Sequence, residues 1–154
     1  MTQLVIGVKA PNFSLLAQDG KKYSLKDFKG KKIVLYFYPK DDTSGCTKEA
    51  CSFRDNLSAI KKKGAIVLGV SPDAVKSHEK FSTKYDLNFS ILSDESKIML
   101  TEYGVWQEKS MYGRKYMGVV RTTFIIDEKG KITHVFSKVK VDGHTEEILT
   151  ALSE

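Results

Sequence analysis

The longest unbroken apolar run in the chain lies at 33–38, Ile-Val-Leu-Tyr-Phe-Tyr, and Pro39 follows it. A short run of this kind, rich in β-branched and aromatic residues, predicts a strand buried on both faces. From about 45 to 63 the period changes. Ala50, Phe53, Leu57 and Ile60 recur at helical spacing, and Lys61, Lys62, Lys63 and Gly64 supply the stop. A second apolar run at 65–70 predicts another buried strand. Strand, helix and strand in this order form a right-handed βαβ unit. Further along, Pro72-Asp73 opens a helix over about 74–85, 89–92 is a short strand, and 97–103 is helical up to Gly104. Two hairpins are predicted. One joins 13–17 to 22–25 through Gln18-Asp19-Gly20, and the other joins 122–127 to 131–136 through Glu128-Lys129-Gly130. A last helix over about 145–152 turns Ile148, Leu149 and Leu152 inward.

This order of elements predicts an α/β chain of thioredoxin-like fold. Its central mixed β-sheet is flanked by helices and preceded by an N-terminal β-hairpin. Fold alone does not give function. The 154 residues suit one domain over 1–154; 41% are hydrophobic and only 3 are Pro. A chain of this size buries about 69% of its unfolded surface, enough for a core without staples. The composition excludes a disordered, collagenous or disulfide-dense chain, and no apolar run is long enough to span a bilayer. The first residues lack a basic stretch followed by an apolar one. We therefore expect no secretory signal and a cytoplasmic location, where structural disulfides are uncommon. Net charge is +6. Its lysine pairs sit beside glycine turns or at a helix end and read as solvated surface. No nucleic-acid motif accompanies them, so neither nucleic acid nor membrane is expected as a partner.

The candidate chemistry is Cys46 and Cys51. Cys46 falls on the first turn of the predicted helix, where the N-terminus favours a thiolate. Cys51 falls one and a half turns further in. On an intact helix residues five apart lie about 8–9 Å from each other, beyond the reach of a disulfide. Spacing alone leaves open two inert core thiols, or a pair that bridges only when the first helical turns unwind. A zinc site would need His78, His134 or His144 as further ligands, and these stand in no recognisable pattern. A dithiol oxidoreductase lacks its C-x2-C. The three histidines read as exposed or hydrogen-bonded. Trp106, Tyr103, Tyr112 and Tyr116 read as core and loop packing, and the methionines show no ligand pattern.

The loop before Cys46 narrows these alternatives. Pro39-x-x-x-Thr43-x-x-Cys46 resembles the active-site signature of peroxiredoxins. The following Thr47-Lys-Glu49-Ala-Cys51 is similar to the Q-type, or bacterioferritin comigratory protein, branch. Gly7-Val-Lys-Ala-Pro11-Asn-Phe13, Tyr103-Gly-Val-Trp106 and Val120-Arg121-Thr-Thr-Phe-Ile-Ile-Asp127 extend the likeness over nearly the whole chain. The resemblance implies that Cys46 is the peroxidatic nucleophile and Cys51 the resolving thiol, and that the two form a redox-active disulfide. It implies that Thr43 binds the peroxide and touches the thiolate, and that Arg121 stabilises thiolate and transition state. Pro39 would shield the pocket, Gly45 and Cys46 would offer backbone N–H groups, and Glu49 would orient Arg121.

The implied activity is that of a thiol peroxidase in antioxidant defence, acting on hydrogen peroxide and organic hydroperoxides. It needs no cofactor or metal, works as a monomer, and is reduced by thioredoxin or a similar dithiol protein. Ionisation explains little of such a rate: an ordinary thiol is roughly 3% thiolate at pH 7, so full ionisation gains only about thirtyfold. The donors around the sulfur must supply the rest. Ser44 departs from the pattern, because relatives commonly carry Pro there; its absence removes a preset φ at the helix start and eases unwinding. The Gly-Gly pair and C-terminal Tyr-Phe of overoxidation-sensitive relatives are also missing, which implies resistance to overoxidation. A redox sensor would use the same Cys46 but would not turn over. A plain structural domain would leave both thiols slow to alkylate.

Overall fold

The computed structural model describes residues 4–154; the first three residues of the expected 1–154 span lie outside it. Its centre is a five-stranded mixed sheet. The middle strand, β3 (Lys32–Phe37), runs parallel to β4 (Ala65–Ser71), and β4 runs parallel to β5 (Ser90–Ser93). On its other side β3 is antiparallel to β8 (Thr122–Ile126), which pairs with β9 (Ile132–Phe136) in the second expected hairpin. The result is the mixed thioredoxin-type sheet that the sequence pattern predicts. Among the described residues no helix is long and apolar enough to cross a membrane.

The alternation along β3 explains its continuous apolar character. Ile33, Leu35 and Phe37 enter one core with Leu68, Val70, Phe124 and the short helix α3 (Ile98–Glu102). Val34, Tyr36 and Tyr38 enter the other. That second face is covered by α1 (Ser44–Lys62), α2 (Val75–Lys84) and α4 (His144–Leu152), through Ala50, Phe53, Leu57, Ile60, Phe81 and Ile148. Tyr36 is fully buried there with its ring stacked 4.7 Å from that of Phe53. It fits because the neighbouring strand carries Gly69: a Cβ at that position would stand 2.9 Å from the Tyr36 ring.

The N-terminal hairpin pairs β1 (Ser14–Leu16) with β2 (Lys22–Ser24), and a 3-10 turn at Leu25–Phe28 follows. Its turn also guards the sheet edge. The Gln18 side-chain amide donates to the Phe89 carbonyl and accepts from the Ile91 N–H, occupying groups that an edge strand would otherwise expose.

One element has no counterpart in the predicted pattern. β6 (Trp106–Met111) and β7 (Arg114–Val119) form a separate two-stranded ribbon. Tyr112 and Gly113 turn it, both with positive φ, 52° and 78°. The packing expectation holds for Tyr103, buried in the core, but not for the ribbon tyrosines. Tyr112 is 98% exposed at the turn, and Tyr116 is 41% exposed because both faces of the ribbon meet solvent.

Candidate active site

β3 ends at the sheet's centre, and the chain passes through Tyr38, Pro39 and a short loop into α1. Thr43 caps the helix in extended conformation, Ser44 is its first residue and Cys46 its third. Ser44 thus occupies the position where proline's fixed φ would preset the helix. The first helical hydrogen bond runs from the Thr47 N–H to the Thr43 carbonyl at 2.8 Å. The N–H groups of 44–46 therefore lack an intrahelical acceptor and carry the positive end of the helix dipole. The Cys46 thiol lies among them, 1% exposed, and both cysteines are free.

Arg121 reaches this thiol from the two-residue junction between β7 and β8. Its Nη2 stands 3.3 Å from Cys46 Sγ, and its Nη1 donates to Glu49 Oε1 at 2.6 Å. Glu49 follows Cys46 by three residues on α1, so one helix face presents both to the guanidinium. The Arg121 backbone is itself pinned, its carbonyl accepting from the Val139 N–H at 2.9 Å. Burial works against the Arg121 charge, but Glu49 and Cys46 beside it prevail and hold its pKa above the ordinary value. Glu49 is 2% exposed; burial pushes its carboxyl up to about 7 although Arg121 pulls the other way. Among the described residues its Oε2 has no hydrogen-bond partner. Nor has the buried Tyr36 hydroxyl, which burial and then the charges of Glu49 and Cys46 push well above its usual range.

Gly45 is required by this arrangement rather than by its φ. A Cβ there would meet Arg121 Nη2 at 3.3 Å, tighter than ordinary contact, and Arg121 is tethered to Glu49. We expect Gly45→Ala to displace the guanidinium from the sulfur and to slow peroxide reaction about tenfold, roughly 1.4 kcal/mol of barrier. Stability should hold or rise by up to about 1 kcal/mol, because alanine favours helix. Stopped-flow rates set beside urea melts separate the two effects.

Glu49 makes stability depend on pH in a defined direction. Its folded pKa is raised, so the folded state binds the proton more tightly than the unfolded chain. Its favourable contribution is complete below about pH 4.5 and is lost as pH climbs to about 7. Across that window the loss is about 3 kcal/mol. Glu49→Gln keeps an acceptor for Arg121 and cannot ionise. The variant should therefore gain on the parent between pH 5 and pH 8, as read from paired denaturant melts; an equal difference at the two pH values would refute the buried titration.

The other expected site residues are placed less centrally. The Thr43 hydroxyl donates to the Lys40 carbonyl at 2.9 Å rather than to Cys46. Pro39 is half-buried at the start of the loop. Cys51 is half-buried on the continuous helix α1, five residues after Cys46. All three histidines find partners: His134 contacts Thr133, His144 contacts Thr123 and Glu147, and His78 is fully buried against Asp41. Sequence reading missed the Asp41 contact. Asp41, Asp73 and His78 approach within 4.8 Å, but their polar atoms are already engaged by protein groups.

Comparison with known proteins identifies the family. Residues 6–135 match the AhpC/TSA family model. A Coxiella burnetii protein bearing the peroxiredoxin Bcp name is 54% identical over 147 residues, covering 96% of this chain and 97% of that one. Peroxiredoxin Bcp of Escherichia coli K12 is 46% identical over 154 residues, covering 100% and 99%. Among solved structures, the Xanthomonas campestris bacterioferritin comigratory protein, described for its alkyl peroxide reduction activity, superposes with a TM-score of 0.87. It is 39% identical, covering 92% of this chain and 90% of that one. The family match, the identities over nearly the full length and the shared fold place the chain in the AhpC/TSA family as a peroxiredoxin, a peroxidase of the Q or bacterioferritin comigratory branch.

Proposed function

We propose that this peroxiredoxin reduces hydrogen peroxide and organic hydroperoxides by cycling Cys46 and Cys51 through an intramolecular disulfide that thioredoxin reopens. The observation that carries the reading is the 3.3 Å approach of Arg121 Nη2 to the buried Cys46 sulfur at the start of α1. Attack of the thiolate on the outer peroxide oxygen makes an S–O bond and breaks the O–O bond. Negative charge passes from sulfur to the departing alkoxide or hydroxide, which takes up a proton from solvent and leaves as alcohol or water respectively. A fixed guanidinium and the free N–H groups of Gly45 and Cys46 lie along that path and stabilise the charge as it moves. Thr43 Oγ1 has its hydrogen engaged by Lys40 and offers a lone pair to the peroxide O–H. Pro39 limits water, and Glu49 sets the plane of Arg121.

The sulfenic acid on Cys46 then condenses with the Cys51 thiol, releasing water. The first turns of α1 must unwind for the sulfurs to meet, since helical spacing keeps them beyond bonding reach. A dithiol donor reduces the disulfide to two thiols, itself becoming oxidised. The Xanthomonas relative's alkyl peroxide activity supports organic hydroperoxides as substrates. The test is intact mass and thiol count after one equivalent of peroxide. Loss of two hydrogens and both thiols supports the cycle; a stable added oxygen with Cys51 still free moves resolution to an outside thiol; no reaction within minutes removes the proposal. The same spectra should show little Cys46 sulfinic acid at modest peroxide excess.

A further inference from the structure

The polar cluster beneath the Cys46 loop takes no part in the chemistry above, yet it is the most highly bonded group of side chains near it. His78, 0% exposed on the first turn of α2, places Nδ1 2.7 Å from Asp41 Oδ2 and Nε2 2.8 Å from the Leu92 carbonyl oxygen. A carbonyl oxygen only accepts. Asp41 is also surrounded by donors: the Tyr38 hydroxyl on Oδ1 at 2.6 Å and the Ser77 hydroxyl on Oδ2 at 2.7 Å. Two hydroxyl donors thus converge on the carboxyl that the imidazole also meets. Both imidazole nitrogens are engaged, one by the carboxyl and one by the carbonyl, so the buried ring is held at both ends. The geometry describes a buried imidazole–carboxyl pair, whose partners hold each other in place because either alone would leave an unsatisfied polar group in the core.

The place of this pair in the chain gives it a consequence for the reaction. Asp41 stands five residues before Cys46 and two before Thr43. Its own N–H donates to Asp73 Oδ2 at 2.8 Å, and Asp73 also accepts from the Ser71 hydroxyl, so the β4–α2 connection grips the same turn. Asp42 follows with φ of 57° and is held at the far end of α2 by Lys84 Nζ at 2.8 Å and the Tyr85 hydroxyl at 2.6 Å. Two consecutive carboxylates thus moor the loop to both ends of one helix.

We propose that His78 is a positioning residue for peroxide reduction, which, through Asp41, fixes the loop that hands Thr43 and the first turn of α1 to the substrate. The inference rests on the peroxidase reading, but the His78–Asp41 contact behind it can be tested without that reading. Nitrogen-detected NMR of the full chain should show the His78 ring resonances move on Asp41→Asn; unchanged resonances would overturn the proposal.

The functional arm uses His78→Gln and the near-isosteric Asp41→Asn, each confirmed folded by its amide spectrum. For each, the rate of Cys46 with peroxide is compared with its alkylation by iodoacetamide. Alkylation needs the thiolate but not the peroxide's donor geometry, so a merely structural role would change both rates alike. We expect peroxide reaction to fall about tenfold more than alkylation in both variants. Equal changes in the two rates, or a peroxide rate within twofold of the parent, would defeat the proposal. A parent protein inert to peroxide would instead defeat the peroxidase reading and leave the NMR result standing.

Discussion

We expect Cys46→Ser to abolish peroxide consumption, a loss of at least about a thousandfold, while Cys51→Ser completes one turnover and then stops. The contrast follows from what each sulfur is asked to do. At position 46 the attacking atom must be an anion at neutral pH, and a serine hydroxyl is not one even beside Arg121. The fold should barely register that change, since an alcohol can accept from Arg121 Nη2 as sulfur does. At position 51 nothing in the first step is lost, because Cys51 sits a turn and a half beyond the donors. The variant should consume one equivalent of peroxide at the parent's rate, accumulate sulfenic acid, and fail to turn over with thioredoxin. Stopped-flow of the first turnover beside the steady-state assay checks both halves. A Cys51→Ser protein that cycles normally with thioredoxin would show that the disulfide is not part of the route.

The second large effect belongs to Arg121→Met. Removing the cation that faces both the sulfur and the breaking O–O bond should slow the first turnover by about 10²–10³-fold. The same change deprives buried Glu49 of its partner, so activity and stability respond together but with different pH profiles. With the guanidinium gone, the Glu49 carboxyl titrates higher still. The favourable contribution of the bound proton, complete below about pH 4.5, is then lost over a window reaching past 7. Relative to the parent, the variant should be weaker at both pH values, and its deficit at pH 8 should exceed that at pH 5 by up to about 1.4 kcal/mol, because the parent's carboxyl ionises near 7 and the variant's does not. Paired urea melts at the two pH values test this. A pH-independent deficit would mean that Glu49 is not ionised in the parent.

Much of this was legible in the chain because local pattern and tertiary role coincide. The run at 33–38 reads as a doubly buried strand, and it is one, each residue alternating between the two cores. The spacing of Ala50, Phe53, Leu57 and Ile60 marks the face that α1 buries, and Cys46 stands at its start. Glu49 shares that face but breaks its apolar pattern, so periodicity gives no hint that it is buried. Arg121 lies 75 residues from Cys46, and only the family likeness could connect them. Asp41 and His78, 37 apart, carry no signal at all, since a buried histidine and a solvated one look alike in sequence. The ribbon of β6 and β7 escaped detection for the opposite reason. Gln107, Glu108, Lys109 and Ser110 make a strand with no apolar side, turned by Tyr112-Gly113 rather than the usual Asn-Gly or Asp-Gly.

The hollow beside Gly69 sets a rule of inheritance for the core. The ring of Tyr36 occupies the space where a side chain on the adjacent strand would begin, so the two positions share one volume. A lineage that placed alanine at 69 would have to give up the aromatic ring at 36, and with it a wall shared by Phe53 and the cysteine core, and also to shift Ile91, whose Cγ2 would stand 2.9 Å from the same Cβ. Neither change is reachable alone without a clash or a void. In any collection of descendants the two sites should therefore drift as a linked pair.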